Sequence, residues 1–130
     1  MASVTRVLVV DDSAVARASI RKLLDDAGFE THELPGAVGV TREIVRKNID
    51  VVVLDINMPM MRGHSIVKLM RASDRLKDVK VLLVTGESLP DAEQRARDSG
   101  ADGLMKKGDV RAQLVAEVTR LAKAREQREP

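Results

Sequence analysis

The chain has no cysteine, no tryptophan and no tyrosine, and Phe29 is its only aromatic residue. Without thiols, disulfides, thiolate metal sites and cysteine nucleophiles are all excluded, and the absence fits a reducing compartment. Without stacking rings or a dense basic run, the usual supports for binding nucleic acid are missing. Neither sign of charge dominates: 22 basic residues face 20 acidic ones, for a net +2. The signs alternate along helical stretches, as in Arg42, Glu43, Arg46 and Lys47, which describes a solvated mixed surface. No stretch approaches the roughly 20 apolar residues needed to span a bilayer. The opening MASVTRVLVVDD has one short apolar run closed by two acids, not the longer core of a signal peptide. A cytoplasmic protein with no membrane insertion and no nucleic-acid partner is the expectation.

What is present is a balance of 44% hydrophobic and 32% charged residues over 130 positions, enough for one packed domain. Three short runs are continuously apolar, Val7–Val10, Val51–Leu54 and Val79–Val84, the last broken only by Lys80. Such runs read as strands buried on both faces. Glu30–Leu34 and Gly103–Met105 are weaker strands of the same kind. Between them lie helical stretches, about Ala14–Ala27, Val38–Lys47, His64–Ala72, Asp91–Ser99 and Val110–Ala124. Ser13 or Asp12 suits the start of the first helix and Gly28 its end. Residues 1–124 therefore read as one domain and 125–130 as a frayed polar tail. Five alternations of strand and helix predict an α/β fold, an open parallel sheet with helices on both faces.

In such sheets ligands bind beyond the carboxyl ends of the strands. The first strand ends in Asp11 and Asp12, the third in Asp55, the fourth in Thr85, and Lys106 and Lys107 follow the fifth. Converging carboxylates repel unless a cation joins them, and magnesium, which takes oxygen ligands and keeps several waters, suits such a set. A carboxylate can also act as a nucleophile, forming an aspartyl-phosphate. Taken one at a time, each residue has a plainer reading: a helix cap, a β-former, a wet lysine. Their joint placement at successive strand ends carries the functional reading.

The motifs VLVVDDS at 7–13, VVVLDINMP at 51–59 followed by Gly63, VLLVTGES at 81–88 and SGADGLMKK at 99–107 occur in this order. The spacings are 43 residues from Asp12 to Asp55, 30 from Asp55 to Thr85 and 22 from Thr85 to Lys107. With these motifs the whole chain resembles the receiver domain of bacterial two-component response regulators, in its single-domain, chemotaxis-regulator-like form. The resemblance implies a flavodoxin-like, doubly wound five-stranded sheet of order 2-1-3-4-5 with five helices. It implies that Asp55 accepts a phosphoryl group from a sensor histidine kinase or phosphotransfer protein. Asp12 would ligate Mg2+ directly and Asp11 mainly through water, with Asp55 and the Asn57 backbone carbonyl completing the metal set. Thr85 and Lys107 would bind phosphoryl oxygens, Lys107 rather than Lys106 by its count from Gly100-Ala101-Asp102. Asn57 and Glu87 lie where family members tune the lifetime of the phosphorylated state. Thr85, Gly86 and the fifth-strand position, here Leu104, belong to the switch, which would reshape the fourth helix, fifth strand and fifth helix toward a downstream protein target.

Three positions depart from the family's habit. Leu104 replaces a common aromatic, Gly108 a common proline, and Arg62 a common acid or amide. His32 and His64 read as surface histidines. Met58, Met60 and Met61 read either as a docking patch or as loop packing. No output domain follows residue 124, so a single-domain switch, monomeric or weakly dimeric, is expected rather than a DNA-binding effector. The only catalysis implied is the domain's own phosphorylation and dephosphorylation, so it is not expected to be an enzyme. A phosphorylation-independent scaffold is the alternative, supported by Leu104 and Gly108 and opposed by the intact acids, Thr85 and Lys107. An aspartate-nucleophile phosphatase is disfavoured, because Ser13 and Asn57 stand where a second aspartate would be required.

Overall fold

The computed structural model describes residues 4–58, 61–86 and 89–128. Its strands are β1 (Arg6–Val10), β2 (Glu30–Leu34), β3 (Val51–Asp55), β4 (Lys80–Thr85) and β5 (Gly103–Lys106). They form one parallel sheet in the order β2-β1-β3-β4-β5, as the resemblance implied. The helices are α1 (Ala14–Asp26), α2 (Val40–Lys47), α3 (Gly63–Arg71), α4 (Leu89–Ser99) and α5 (Val110–Arg128), with a 3-10 turn at Lys107–Asp109.

Two cores explain why the central strands are apolar at every position. Successive side chains point to opposite faces: Val7, Val9, Val51 and Val53 enter one core with Ile20 and Leu24 of α1 and Leu114, Val118 and Leu121 of α5. Leu8, Val10, Val52 and Leu54 enter the other with Ile44 of α2, Ile66 and Met70 of α3, and Ala92 and Ala96 of α4. The sheet is thereby covered on both sides, and strand-end polar groups are left to face one rim.

Local signals fix most boundaries. The Ser13 hydroxyl accepts from the Ala16 N–H at 3.2 Å, and Gly28 closes the turn after α1 at φ 92°. The second helix starts at Val40 rather than Val38, because Gly39 sits at φ 85°, a left-handed conformation that no helix interior accepts. The fourth begins two residues ahead of Asp91. The last helix runs on to Arg128, so the tail expected from residue 125 is helical for four more residues. No breaker stops it after Ala124, and Arg125 is anchored by an ion pair with Asp50 at 3.3 Å.

At the opposite end of the sheet, Lys80, the one charged residue of its strand, is buried and pairs with Asp102 at 3.6 Å. Asp102 also accepts from the Val81 N–H at 2.8 Å and from Arg71 at 2.7 Å. Arg71 donates further to the Gly100, Lys77 and Val79 carbonyls, joining the ends of α3 and α4 to the starts of β4 and β5. Among the described residues, no helix is long and apolar enough to cross a membrane.

Candidate functional site

Asp11, Asp12 and Asp55 meet at the carboxyl ends of β1 and β3. One carboxylate oxygen from each lies within 4.8 Å of the others. Asp11 and Asp55 are buried, at 1% and 2% exposure, whereas Asp12 faces solvent. Each buried acid is held by its own chain. Asp11 Oδ1 accepts from the Ser13 N–H at 2.9 Å and Asp55 Oδ1 from the Asn57 N–H at 3.0 Å. The remaining oxygens face one ammonium: Lys107 Nζ stands 3.3 Å from Asp55 Oδ2 and 3.7 Å from Asp11 Oδ2. Of the two adjacent lysines it is therefore Lys107 that enters the site, while Lys106 is exposed at the end of β5.

Burial pushes the Asp55 carboxyl above the usual carboxylate range, and the neighbouring Asp11 charge pushes the same way. The Asn57 N–H and Lys107 oppose this without cancelling it. For Lys107 the largest single influence, burial, works against the charged form, yet Asp55, Asp11 and Asp12 together outweigh it and hold the ammonium above its ordinary pKa. Two buried carboxylates and one exposed carboxylate against one ammonium leave an excess of negative charge. Three carboxylate oxygens within 4.8 Å of one another suit a hard divalent cation, and Asp11, Asp12 and Asp55 fit Mg2+ on that chemistry.

The other predicted residues surround this centre. Thr85 is fully buried and closes β4 one residue past Val84, the register partner of Asp55. Gly86 follows, exposed, where an added Cβ would lie 4.0 Å from Lys107 Cδ, so the loop after β4 starts beside that side chain. Leu104 is half-buried and packs against the α2-α3-α4 core, with Leu83 as its register partner. The Asn57 side chain is exposed, and its Oδ1 accepts from Arg62 at 2.8 Å. Glu87 and Met60 lie outside the described residues. Lys107 reaches the acids from the 3-10 turn that also contains Gly108. Met58 is buried in the core, which supports the packing reading, and Met61 is exposed. His32 pairs with Glu30 at 2.9 Å, away from the acids.

Two contributions escape a reading of motifs: Arg17 itself, and the contact that Gly63, already part of the motif pattern, makes with Asp55. Arg17 of α1 donates to the Asp11 carbonyl at 2.8 Å and to Glu33 of β2 at 3.0 Å, steadying the acidic loop. Nothing in the sequence couples Arg17 to Glu33 before the fold is known. Gly63 opens α3 against the end of β3, donating its N–H to the Ile56 carbonyl at 2.9 Å. A Cβ there would fall 2.5 Å from the Asp55 carbonyl oxygen, so backbone must move to accept one. Gly63→Ala is expected to destabilise the fold by about 1–3 kcal/mol and to weaken Mg2+ binding together with it, as read by thermal unfolding with and without the cation.

The raised Asp55 pKa also sets a pH dependence. An acid that holds its proton more tightly when folded adds stability that is fully present below its unfolded pKa and is lost as pH rises through the folded value. In chelator, that contribution is expected to disappear as pH rises above the ordinary carboxylate range. Mg2+ competes with the same proton, so its stabilising increment is expected to be larger near about pH 7 than near about pH 4.5. Equal increments at both pH values contradict a carboxylate-bound cation.

Comparison with known proteins gives a consistent result. The sequence model of the response regulator receiver domain matches residues 7–119. The chain is 38% identical over 120 residues to the transcriptional regulatory protein PrrA of Mycobacterium tuberculosis, covering 92% of this chain and 51% of that one. It thus spans about half the length of that relative. Over 103 residues it is 36% identical to the chemotaxis protein CheY of Pseudomonas aeruginosa, covering 78% of this chain and 83% of CheY. The crystal structure of the response regulator TrrA of Thermotoga maritima, in complex with magnesium and BeF, superposes with a TM-score of 0.79 at 27% identity, covering 90% of this chain and 98% of TrrA.

Proposed function

Because the chain belongs to the response regulator receiver domain family of two-component signalling, we propose that it is a phosphorylation-dependent switch that accepts a phosphoryl group on Asp55 in the presence of Mg2+. The observation that carries this reading is the meeting of Asp55 with Asp11, Asp12 and Lys107 at one rim of the sheet. Asp55 is nearly inaccessible except through that rim, and both of its oxygens are already oriented, by the Asn57 N–H and by Lys107. In this reading it acts as the nucleophile: its oxygen forms the new O–P bond while the donor's bond to phosphorus breaks and the donor leaves with its electron pair. Phosphoryl transfer asks a protein mainly for positioning and charge neutralisation.

Asp11, Asp12 and Asp55, with the Asn57 carbonyl, would hold the Mg2+. Bound there, the cation supplies electrostatic stabilisation of phosphoryl oxygens. Lys107 neutralises a second oxygen, and the Thr85 hydroxyl donates to a third from the end of β4. The modification adds about −1.5 to −2 charges and strong acceptors at a packed point. Drawing Thr85 and Gly86 inward moves the loop into α4, so the α4-β5-α5 face changes shape. Leu104, already packed in the core, couples through that loop and not through a rotating ring.

A histidine kinase or phosphotransfer protein is the donor that this reading calls for, and a protein target in the cytoplasm the recipient of the switched surface. No separate substrate is turned over. The test is mass: incubation with Mg2+ and a small acyl-phosphate donor should add one phosphoryl group. A protein that stays unmodified, with the fold intact, favours the phosphorylation-independent scaffold.

A further inference from the structure

We propose that Arg62 is a positioning residue that lengthens the life of the phosphoryl group by holding the Asn57 carboxamide over the site; this inference rests on the receiver reading above. Arg62 is the N-cap of α3, with extended backbone (φ −72°, ψ 146°), so its side chain leaves the chain before the helix begins. The next residue, Gly63, is packed directly on the Asp55 carbonyl, which fixes where Arg62 starts relative to the acid. From there Nη2 donates to Asn57 Oδ1 at 2.8 Å.

A guanidinium has donors and no acceptor. The amide atom facing Arg62 must therefore be the oxygen, and this sets the orientation of the whole carboxamide. Asn57 stands two residues beyond Asp55, with its own N–H on Asp55 Oδ1, and its side chain is exposed. Asn57 thus carries an exposed side chain beside a carboxylate that is otherwise buried, on the side open to solvent. Water that hydrolyses an acyl phosphate arrives from that side. A carboxamide oxygen with its lone pairs available can accept a hydrogen bond from this water and aim it at phosphorus. Arg62 engages that oxygen and competes with water for its lone pairs, and the NH2 end offers only donors, which suit phosphoryl oxygens and not the orienting of water. The guanidinium adds a positive charge beside a group that gains negative charge.

The hydrolytic step itself is ordinary: water forms the new bond to phosphorus, the Asp55 O–P bond breaks, and inorganic phosphate leaves with the carboxylate restored. The experiment loads wild type, Arg62→Ala, Arg62→Lys, Asn57→Ala and the double variant with a small acyl-phosphate donor and Mg2+. The donor is then removed and loss of the phosphoryl group followed by intact mass. Arg62→Ala is expected to decay about tenfold faster, the change carried by one charge-assisted hydrogen bond. Arg62→Lys should fall between it and wild type, and in the Asn57→Ala background removing Arg62 should change nothing further. Decay of Arg62→Ala at the wild-type rate, or an equal acceleration in the Asn57→Ala background, overturns the inference. Loading is measured first, so a failure of the receiver reading shows separately, as wild type that never takes up the group. Thermal unfolding of each variant separates a general loss of structure from a lifetime effect.

Discussion

Asp55→Asn is expected to abolish phosphoryl uptake while leaving the fold in place. The carboxamide is nearly the same size as the carboxylate and keeps an oxygen to accept from the Asn57 N–H, now at 3.0 Å from Asp55 Oδ1. What it loses is the anionic oxygen that would form the O–P bond, and no neighbour replaces it. Asp11 is equally buried, but its Oδ1 is engaged by the Ser13 N–H and its other oxygen faces Lys107. Asp12 is exposed on the loop after β1. Removing one of two buried like charges also relieves the repulsion that helps raise the Asp55 pKa. The variant is therefore expected to be at least as stable as wild type in chelator. Intact mass after donor treatment reads the first expectation, and thermal unfolding the second. Uptake by the variant at the wild-type level moves the acceptor elsewhere.

Lys107→Ala is the second large effect. Lys107 Nζ is within 4 Å of both buried acids, at 3.3 and 3.7 Å, and is thus aimed at the point where negative charge accumulates. Removing one preorganised donor from such a site costs about 10²–10³ in rate. Uptake from a small donor is therefore expected to fall by roughly a hundredfold. Without the ammonium the Asp55 carboxyl moves further above its ordinary range, because Lys107 is one of the groups that holds it down. Lys106→Ala is the matched control. Its side chain is exposed and outside the acidic cluster, and uptake should stay close to wild type. Rates measured over a series of donor concentrations check both. If the two variants lose activity equally, the assignment of the ammonium to residue 107 is wrong.

The sheet was legible because its central strands are buried on both faces, and a run such as Val51–Leu54 admits few other readings. Edge strands carry less pattern: in β2 only Thr31 is buried, and Glu30, His32 and Glu33 face outward or pair along the rim. Asp11, Asp55 and Thr85 were legible for a different reason, since each follows directly on an apolar run, with Asp12 one residue further on and Lys107 two residues past Met105. Counting residues favoured Lys107 over Lys106, and the ion pairs with Asp55 and Asp11 show why: the 3-10 turn after β5 points the second lysine inward. Contacts between distant elements were not legible. The Arg17–Glu33 link, the Gly63 contact with Asp55 and the Arg71–Asp102 cluster each join segments whose adjacency exists only after folding. The end of α5 escaped prediction because Arg125–Arg128 is polar yet contains no helix breaker.

The measurement that bears most directly on the account is a crystal structure of the protein with Mg2+ and beryllofluoride, a stable stand-in for the phosphoryl group. Beryllium bonded to Asp55, a cation against Asp11, Asp12 and Asp55, and fluorine atoms met by Lys107 and Thr85 are the predicted result. Beryllofluoride bound elsewhere, or an Asp55 that remains paired to Lys107 with neither ion near it, contradicts the account at its centre.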